Sequence, residues 1–522
     1  MRPSYGQEFR ATLSGRVSDP TGAVVVKATV TAVEVDSKTT YTAKTTNDGT
    51  YYIPYVLPGT YTVSVTAKGF KTAIQDNVRM FAAQGFGQNF KLEVGATTDQ
   101  VTVTDAPPEL ETTTGSGGNL IQERELQAVP LNGQQVFTLI GTTPGSQSYN
   151  GSMGPNGTGT RGSDNNNGYS IGGGAPQGDA ALGSSNQFTL NGVNITQQTT
   201  FQNQAAGAWN VAPDLNTVGE INVMTTNYDA QYGRTAGGTI NVVTKAGTNK
   251  FHGDVSENYG GALMEANSFL NNLIGLPRQG YVENQYDGTF GGPIFKNKLF
   301  FFFGFEGYNE SISGGVSMNV PPAYLRPGFN GNAGVNFGLV SAMDPTHFGP
   351  STGQPYGIPI YQPGTSNCPA GEGTPANGCN NNSNDLYQTP FPNNTIPSSQ
   401  INATALAILK YIPLPNIAGA TNFAKGDNYF LPQPLLTHYY QPSVRVDYNL
   451  SDKTKLYSYF EWQTGSQYQS NNGLTGLAAN GAINQTRENW AAGQDVTHTF
   501  SPTLLLDAKV SFSRFVEIAP DG

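Results

Sequence analysis

Two stretches of the chain alternate with a period of two residues, the mark of a β-strand with one apolar and one polar face. Val444–Leu450 sets Val444, Val446, Tyr448 and Leu450 against Arg445, Asp447 and Asn449. Leu504–Phe512 sets Leu504, Leu506, Ala508, Val510 and Phe512 against Leu505, Asp507, Lys509 and Ser511. The charges fall on one side only. Two architectures satisfy that pattern. One is a soluble sandwich with a wet outer face, and the other is a membrane barrel with lipid outside and a polar lumen inside. Alternation alone leaves both open. No apolar run reaches the ~18 residues of a membrane helix. The densest, Leu299–Phe305, is far too short, and its Phe300–Phe303 is either an interfacial aromatic girdle or an ordinary buried strand.

Composition removes other classes. The 522 residues carry 27 Lys plus Arg and 37 Asp plus Glu, a net charge of −10. Nucleic acid demands a basic face, so no nucleic-acid partner is expected. Charged residues are 12% of the chain, about half the usual ~25%. The 26 Tyr and 27 Phe supply buried or lipid-facing surface that a disordered chain lacks. The four histidines, His252, His347, His438 and His498, are scattered. They form no H-E-x-x-H pair, so no metal, cofactor or catalytic residue is expected, and the chain does not read as an enzyme. Cys368 and Cys379 lie in a Pro/Asn/Gly-rich stretch. Two cysteines fall short of a zinc site's four ligands, which leaves a loop disulfide or two free thiols.

Residues 10–94 read as short strands with frequent turns, the spacing of a β-sandwich. Thr60–Thr66 puts Tyr61, Val63 and Val65 on one face. Asn47-Asp48-Gly49 is a hairpin signal, and Pro58-Gly59 marks a second turn. Residues 95–112 form a polar connector. Its Val101-Thr102-Val103-Thr104 run is either plain linker or an exposed strand to which a partner's sheet edge adds. In 113–246, Gly-rich loops alternate with small elements. A helical period through Ile121, Leu126 and Val129 stops at Pro130. Neither a dinucleotide fingerprint nor a calcium loop fits the spacing there. From about 247 onward seven strands are expected, near 251–260, 281–292, 298–309, 438–450, 454–465, 487–500 and 503–516. The stretch 312–436 between the third and fourth suits a long extracellular loop.

Three groups of motifs carry a resemblance. ATLSGRVSDPTGAVVVKATVTAV with TNDGTYYIPYVLPGTYTVSVTAKGF resembles the carboxypeptidase regulatory-like domain, an accessory sandwich without peptidase chemistry. VPLNGQQVFTLIGTTPG, FTLNGVNIT and VGEINVMTTNYDAQYGRTAGGTINVVTKAGTNKFHG, in that order, resemble the plug of TonB-dependent outer-membrane receptors. NQYDGTFGGPIFKNKLFFFFGFEGYNE, SVRVDYNLSDKTKLYSYFEW and WAAGQDVTHTFSPTLLLDAKVSFSRF resemble successive barrel strands of the Oar-like branch. These tilt the alternation toward the barrel.

The fold class expected is therefore mainly β. The resemblance implies a β-sandwich over 10–94, a linker with a coupling segment over 95–112, and an α+β plug over 113–246. A first, incomplete part of a transmembrane antiparallel β-barrel would follow over 247–522. Seven strands are too few to surround a plug, which takes ~22, so a longer natural chain is expected. MRPSYGQEFRATLSG shows no hydrophobic signal region.

The resemblance further implies import of a small-molecule or oligomeric ligand across the outer membrane of a Gram-negative bacterium. The sandwich would be periplasmic, outer-membrane lipid would surround the barrel, and a TonB-type energy-coupling protein would engage Val101, Thr102, Val103 and Thr104. The plug motif maps to Asn191, Gly192, Tyr232, Gly233, Arg234, Gly237, Gly238 and Asn241. Asn191 replaces a more usual Asp near the plug apex, and Arg234 is a candidate for a plug–barrel ion pair. A second function stays open: glycan binding or adhesion through the sandwich, using Tyr51, Tyr52 or Tyr55 as an aromatic platform.

Overall fold

The computed structural model describes residues 8–102, 116–129, 131, 136–148, 169–172, 186–196, 209–228, 232, 235, 237–274, 278, 280–328, 331, 334–336, 360, 362, 389–417, 427–432, 434–470, 482–501 and 504–518.

Nine strands build the N-terminal sandwich: β1 (Ala11–Ser18), β2 (Thr29–Glu34), β3 (Thr40–Lys44), β4 (Thr50–Val56), β5 (Gly59–Thr66), β6 (Thr72–Met80), β7 (Gly85–Gly87), β8 (Phe90–Lys91) and β9 (Gln100–Thr102). One sheet runs β4-β1-β7 with β8 also on β1, and the other runs β3-β2-β5-β6-β9. The alternation in β2 and β5 buries Val30, Ala32, Tyr61, Val63 and Val65 completely, against Leu13, Val17 and Ile53 of the facing sheet. Asn47-Asp48-Gly49 is a tight turn, with Gly49 at φ 74°, but it closes no hairpin. β3 pairs with β2 while β4 pairs with β1, so this turn and Pro58-Gly59 carry the chain from sheet to sheet. The reason is packing: Tyr51 and Ile53 must enter the core from the side opposite Tyr41.

A second unit, in the place the resemblance assigns to a plug and so called the plug, follows with β10 (Gly117–Gln122), α1 (Glu123–Ala128), β11 (Ser146–Ser148), β12 (Tyr169–Ile171), β13 (Gln187–Leu190), β14 (Val193–Asn194), β15 (Val218–Thr226) and β16 (Thr239–Thr244). Its five-stranded sheet runs β10-β15-β16-β13-β14, with β13 parallel to β16. The helix α1 is shorter than the periodicity suggested, because Ile121 belongs to β10. It starts on a Gln122/Glu125 capping box.

Seven long antiparallel strands form one meander: β17 (His252–Gly261), β18 (Tyr281–Phe295), β19 (Leu299–Ile312), β24 (Leu435–Ser451), β25 (Thr454–Ser470), β26 (Ala482–Ser501) and β27 (Leu504–Ile518). Between β19 and β24, the short strands β20 (Gly315–Met318) and β23 (Tyr429–Pro432) pair, as do β21 (Val335–Asn336) and β22 (Thr395–Ile396). The helix α2 (Phe269–Ile274) lies between β17 and β18, and α3 (Ala403–Leu409) between β22 and β23. All seven expected strands are present. Strands joined by short connections, β18–β19, β24–β25 and β26–β27, meet at one end of the wall, and those joined by long ones, β17–β18, β19–β24 and β25–β26, at the other.

The wall is inverted relative to a soluble sheet. Gln285, Asp287, Glu306, Gln441, Arg445, Glu461 and Asp495 are buried on its concave side, while Phe290, Ile294, Leu504, Leu506, Val510 and Phe512 are exposed on the other. An exposed apolar band this extensive suits lipid rather than water. Phe300–Phe303 lies in β19 and divides between the two faces of the wall. Phe300 and Phe302 are buried toward the plug, whereas Phe303 faces out.

Candidate functional site

Plug, wall and sandwich meet near the short-turn end of the strands. Asn191 and Gly192 form the two-residue turn between β13 and β14, with φ of 50° and 75°. Both central positions of a type I′ turn need positive φ, which Asn-Gly meets. Asn191 is not at an apex. It is fully buried, donating from Nδ2 to Thr244 Oγ1 and accepting the Thr244 N–H on Oδ1, both at 2.9 Å. An aspartate could only accept and would bury a charge, so the amide suits this position.

The carbonyl of Thr244 accepts from Arg445 Nη1 of the wall at 2.6 Å. Arg445 is itself held by Asp447, at 2.8 and 3.0 Å, and lies over the Tyr457 ring. Further along, Ser513 Oγ donates to the Asn194 carbonyl at 2.8 Å, and Asn216 of the plug reaches Asp287. Two wall glycines make room for this approach. A Cβ on Gly304 would lie 2.2 Å from Thr217 Cγ2, and one on Gly493 would lie 2.7 Å from Val193 Cγ2. The alternation had put Arg445 on the lumen side, but nothing in it named the plug carbonyl as its target.

The remaining motif residues divide. Tyr232 donates its hydroxyl to the Glu8 carbonyl at 2.6 Å, tying the plug to the segment before the sandwich. Gly238 donates its N–H to Asn186 Oδ1, and a Cβ there would lie 2.5 Å from Ile171. Gly237 donates its N–H to Thr235 Oγ1 at 3.1 Å. Asn241 Oδ1 accepts from Thr189 Oγ1 at 2.6 Å across the parallel pair. These are structural roles within the plug. Gly233, Arg234, Val103, Thr104, Cys368 and Cys379 lie outside the described residues. Val101 and Thr102 do not run free: they belong to β9, parallel to β6.

The sandwich is seated on both other parts. Arg10 is buried, with Glu8 Oε1 at 2.6 Å, Asp507 at 2.6 Å and Asp495 at 3.3 Å, and its guanidinium lies over Tyr55. Burial works against its charge, but Glu8, Asp495 and Asp507 outweigh it and raise the pKa. Asn449 Nδ2 donates to Thr39 Oγ1 and Lys455 Nζ to the Thr40 carbonyl, at 2.8 and 2.9 Å. A cavity of about 510 Å³ remains between the three parts, bordered by Arg10, Glu34, Arg79, Lys245 and Lys455 among others. Among the described residues, Tyr51, Tyr52 and Tyr55 form no shared exposed platform on the sandwich. Tyr51 is core, Tyr55 sits beneath Arg10, and of the three only Tyr52 is exposed.

A wall that is polar on the side packed against a separate sheet and apolar on the other is built as part of a membrane barrel is, although its seven strands form an open sheet here. Residues 243–522, more than half the chain, match the family described as the outer membrane beta barrel domain, and the chain belongs to it; it is an outer-membrane protein. Residues 12–93 match the carboxypeptidase regulatory-like domain. The chain is 28% identical over 313 residues to the TonB-dependent transporter Oar of Myxococcus xanthus, covering 56% of this chain and 26% of that protein. Among solved structures, the outer membrane transporter YddB from Escherichia coli aligns at 10% identity and a TM-score of 0.42, over 76% of this chain and 38% of its own. A ferric enterobactin receptor mutant of Pseudomonas aeruginosa aligns at 12% identity and a TM-score of 0.33, over 78% and 50%. Both scores are too low to establish a shared whole-chain fold. These relatives are transporters and receptors, not enzymes.

Proposed function

We propose that the chain serves as a TonB-dependent outer-membrane transporter that imports an unidentified small-molecule or oligomeric ligand. The observation that supports this best is the plug sheet bonded to the polar wall through Arg445, Gln441 and Ser513. A ligand passing along this wall must displace or reshape those contacts. Several buried polar bonds do not yield without work, which points to an external energy source. The similarity to a transporter named for its TonB dependence supports the same reading. The sandwich lies at the short-turn end, which faces the periplasm in bacterial barrels, where an energy-coupling protein can reach it. In this reading Val101, Thr102, Val103 and Thr104 form the coupling segment.

The test is binding of the periplasmic domain of a TonB-type protein to the detergent-solubilised full receptor. The unmodified receptor is expected to bind, and a Val101→Pro/Val103→Pro variant to lose most of that binding. No binding by the unmodified receptor would overturn the transporter reading. Equal binding by the variant would overturn the choice of segment.

A further inference from the structure

We propose that the cavity between sandwich, plug and wall is a binding site for an oxyanionic group, a carboxylate or a phosphate, held by the Tyr457 hydroxyl and the Arg445 guanidinium. Its place on an import path rests on the transporter reading above; the binding chemistry rests on the cavity alone. The cavity measures about 510 Å³, and Tyr457, Arg445 and Lys455 are among the residues that border it. A water needs only ~10–15 Å³ of such space, so the cavity admits a small organic group. Tyr457 is 5% exposed, and its hydroxyl has no hydrogen-bond partner. Leaving a buried hydroxyl unpaired costs about 1–3 kcal/mol. The ring is held between Phe9, with centroids 5.7 Å apart, and the Arg445 guanidinium, 4.9 Å over it. With the ring held, the hydroxyl cannot turn away to find another partner.

The surroundings of this hydroxyl have donors to spare and acceptors already taken. Asp447 accepts from Arg445 Nε and Nη2 at 2.8 and 3.0 Å. Asp495 lies 3.3 Å from Arg10 and 3.4 Å from Lys509. Of the cavity's other carboxylates, Glu123 pairs with Lys245 at 2.8 Å and Asp254 accepts from Thr289 Oγ1 at 2.9 Å. Glu34 and Glu220 accept backbone N–H groups, and Asp36 is exposed. By contrast, Arg445 has five N–H groups, of which Asp447 and the Thr244 carbonyl take three among the described residues. Lys455, two residues before Tyr457 on the same face of β25, has three and gives one to the Thr40 carbonyl. Spare donors on two cations, beside an unpaired hydroxyl, are met by an acceptor that carries negative charge. Arg445 also ties the site to the plug, since it borders the cavity and holds the Thr244 carbonyl at once. A ligand that breaks this bond on its way past the plug frees Nη1, and its oxyanion then meets Nη1 and the Tyr457 hydroxyl together.

The experiment titrates the full receptor in detergent, by calorimetry, with inorganic phosphate, with acetate and with choline. Phosphate or acetate is expected to bind saturably, and choline not to bind. Tyr457→Phe removes only a hydroxyl that has no partner, so the melting temperature is expected to hold. The same variant is expected to weaken anion binding about tenfold. Whichever anion binds tighter tells a phosphate-bearing ligand from a carboxylate. No saturable anion binding by the unmodified receptor, binding indifferent to Tyr457→Phe, or a preference for choline would overturn this inference. None of these outcomes touches the transporter reading, which stands or falls on binding of the TonB-type protein.

Discussion

Glu220 lies on β15 with its carboxylate turned into the sandwich, where it accepts the Ala82 N–H, while Asn222 beside it donates to the Ala82 carbonyl at 2.7 Å. Burial pushes its pKa up to about 7, against the opposing pull of the Ala82 N–H and Arg79. A carboxyl with a raised native pKa is protonated in the folded state at pH values where the unfolded chain has already lost its proton. The stability it contributes is whole below the unfolded value, declines as pH rises, and is gone above about 7. Over that window the loss is on the order of 3 kcal/mol. Seating of the sandwich should therefore weaken between about pH 4.5 and 7, read as faster hydrogen exchange at Ala82. Glu220→Gln should flatten the profile, and a profile that keeps its slope in that variant would refute the assignment. Nothing around Glu220 in the sequence marks it, because its environment comes from Ala82, more than a hundred residues earlier. Asn191-Gly192 was different. Its turn chemistry is local, in the Asn-Gly pair, though the sequence reading singled Asn191 out only as a replaced Asp, whereas its partner Thr244 depends on the parallel β13–β16 pairing and was not legible.

At the scale of elements, the wall strands were found because lipid and plug impose opposite demands on successive residues, and period two is what survives in the sequence. The sandwich strands were found for the related reason that one face enters a core. The turns misled where connection and pairing part company. A tight Asn-Asp-Gly turn fits both a hairpin and a crossing between sheets, and only the packing of Tyr51 and Ile53 decides. The Val101-Thr102 run was read as linker or exposed strand, and its pairing with β6 was not legible because three residues cannot establish a period. Val510, near the middle of β27, shows how strongly the outer face is constrained. It is 76% exposed between Ala508 and Phe512 on the lipid side. Val510→Lys should cost about 2–4 kcal/mol in urea unfolding from lipid vesicles, the midplane value for a lysine. Val510→Leu should change little, and equal stabilities for the two variants would contradict a lipid-facing β27.

At the scale of the whole molecule, the three parts are joined by buried polar contacts and by one apolar cluster that also takes in Tyr457, Tyr459 and Ala491 of the wall. Phe9 and Ala82 are the sandwich side's share of the plug core; much of the remaining seat is charge and hydrogen bonding. Arg10 is central to it, since it faces Asp495 and Asp507 on two adjacent wall strands, with Lys509 Nζ also 3.4 Å from Asp495. Removing one partner of a buried ion pair leaves the other charge uncompensated, typically at ~3–5 kcal/mol. Lys509 offsets part of that, so Arg10→Ala should fall toward the lower end. A disulfide between Thr39→Cys and Asn449→Cys reports seating directly, because those side chains already touch. In the Arg10→Ala background its yield should drop severalfold, and Arg10→Lys should restore part of it. Undiminished yield would show that Arg10 does not hold the sandwich in place. The edge of the sandwich that faces the wall is held by hydrogen bonds from Asn449 and Lys455 to Thr39 and Thr40, and Arg10 adds a buried charge to that seat from the other sheet.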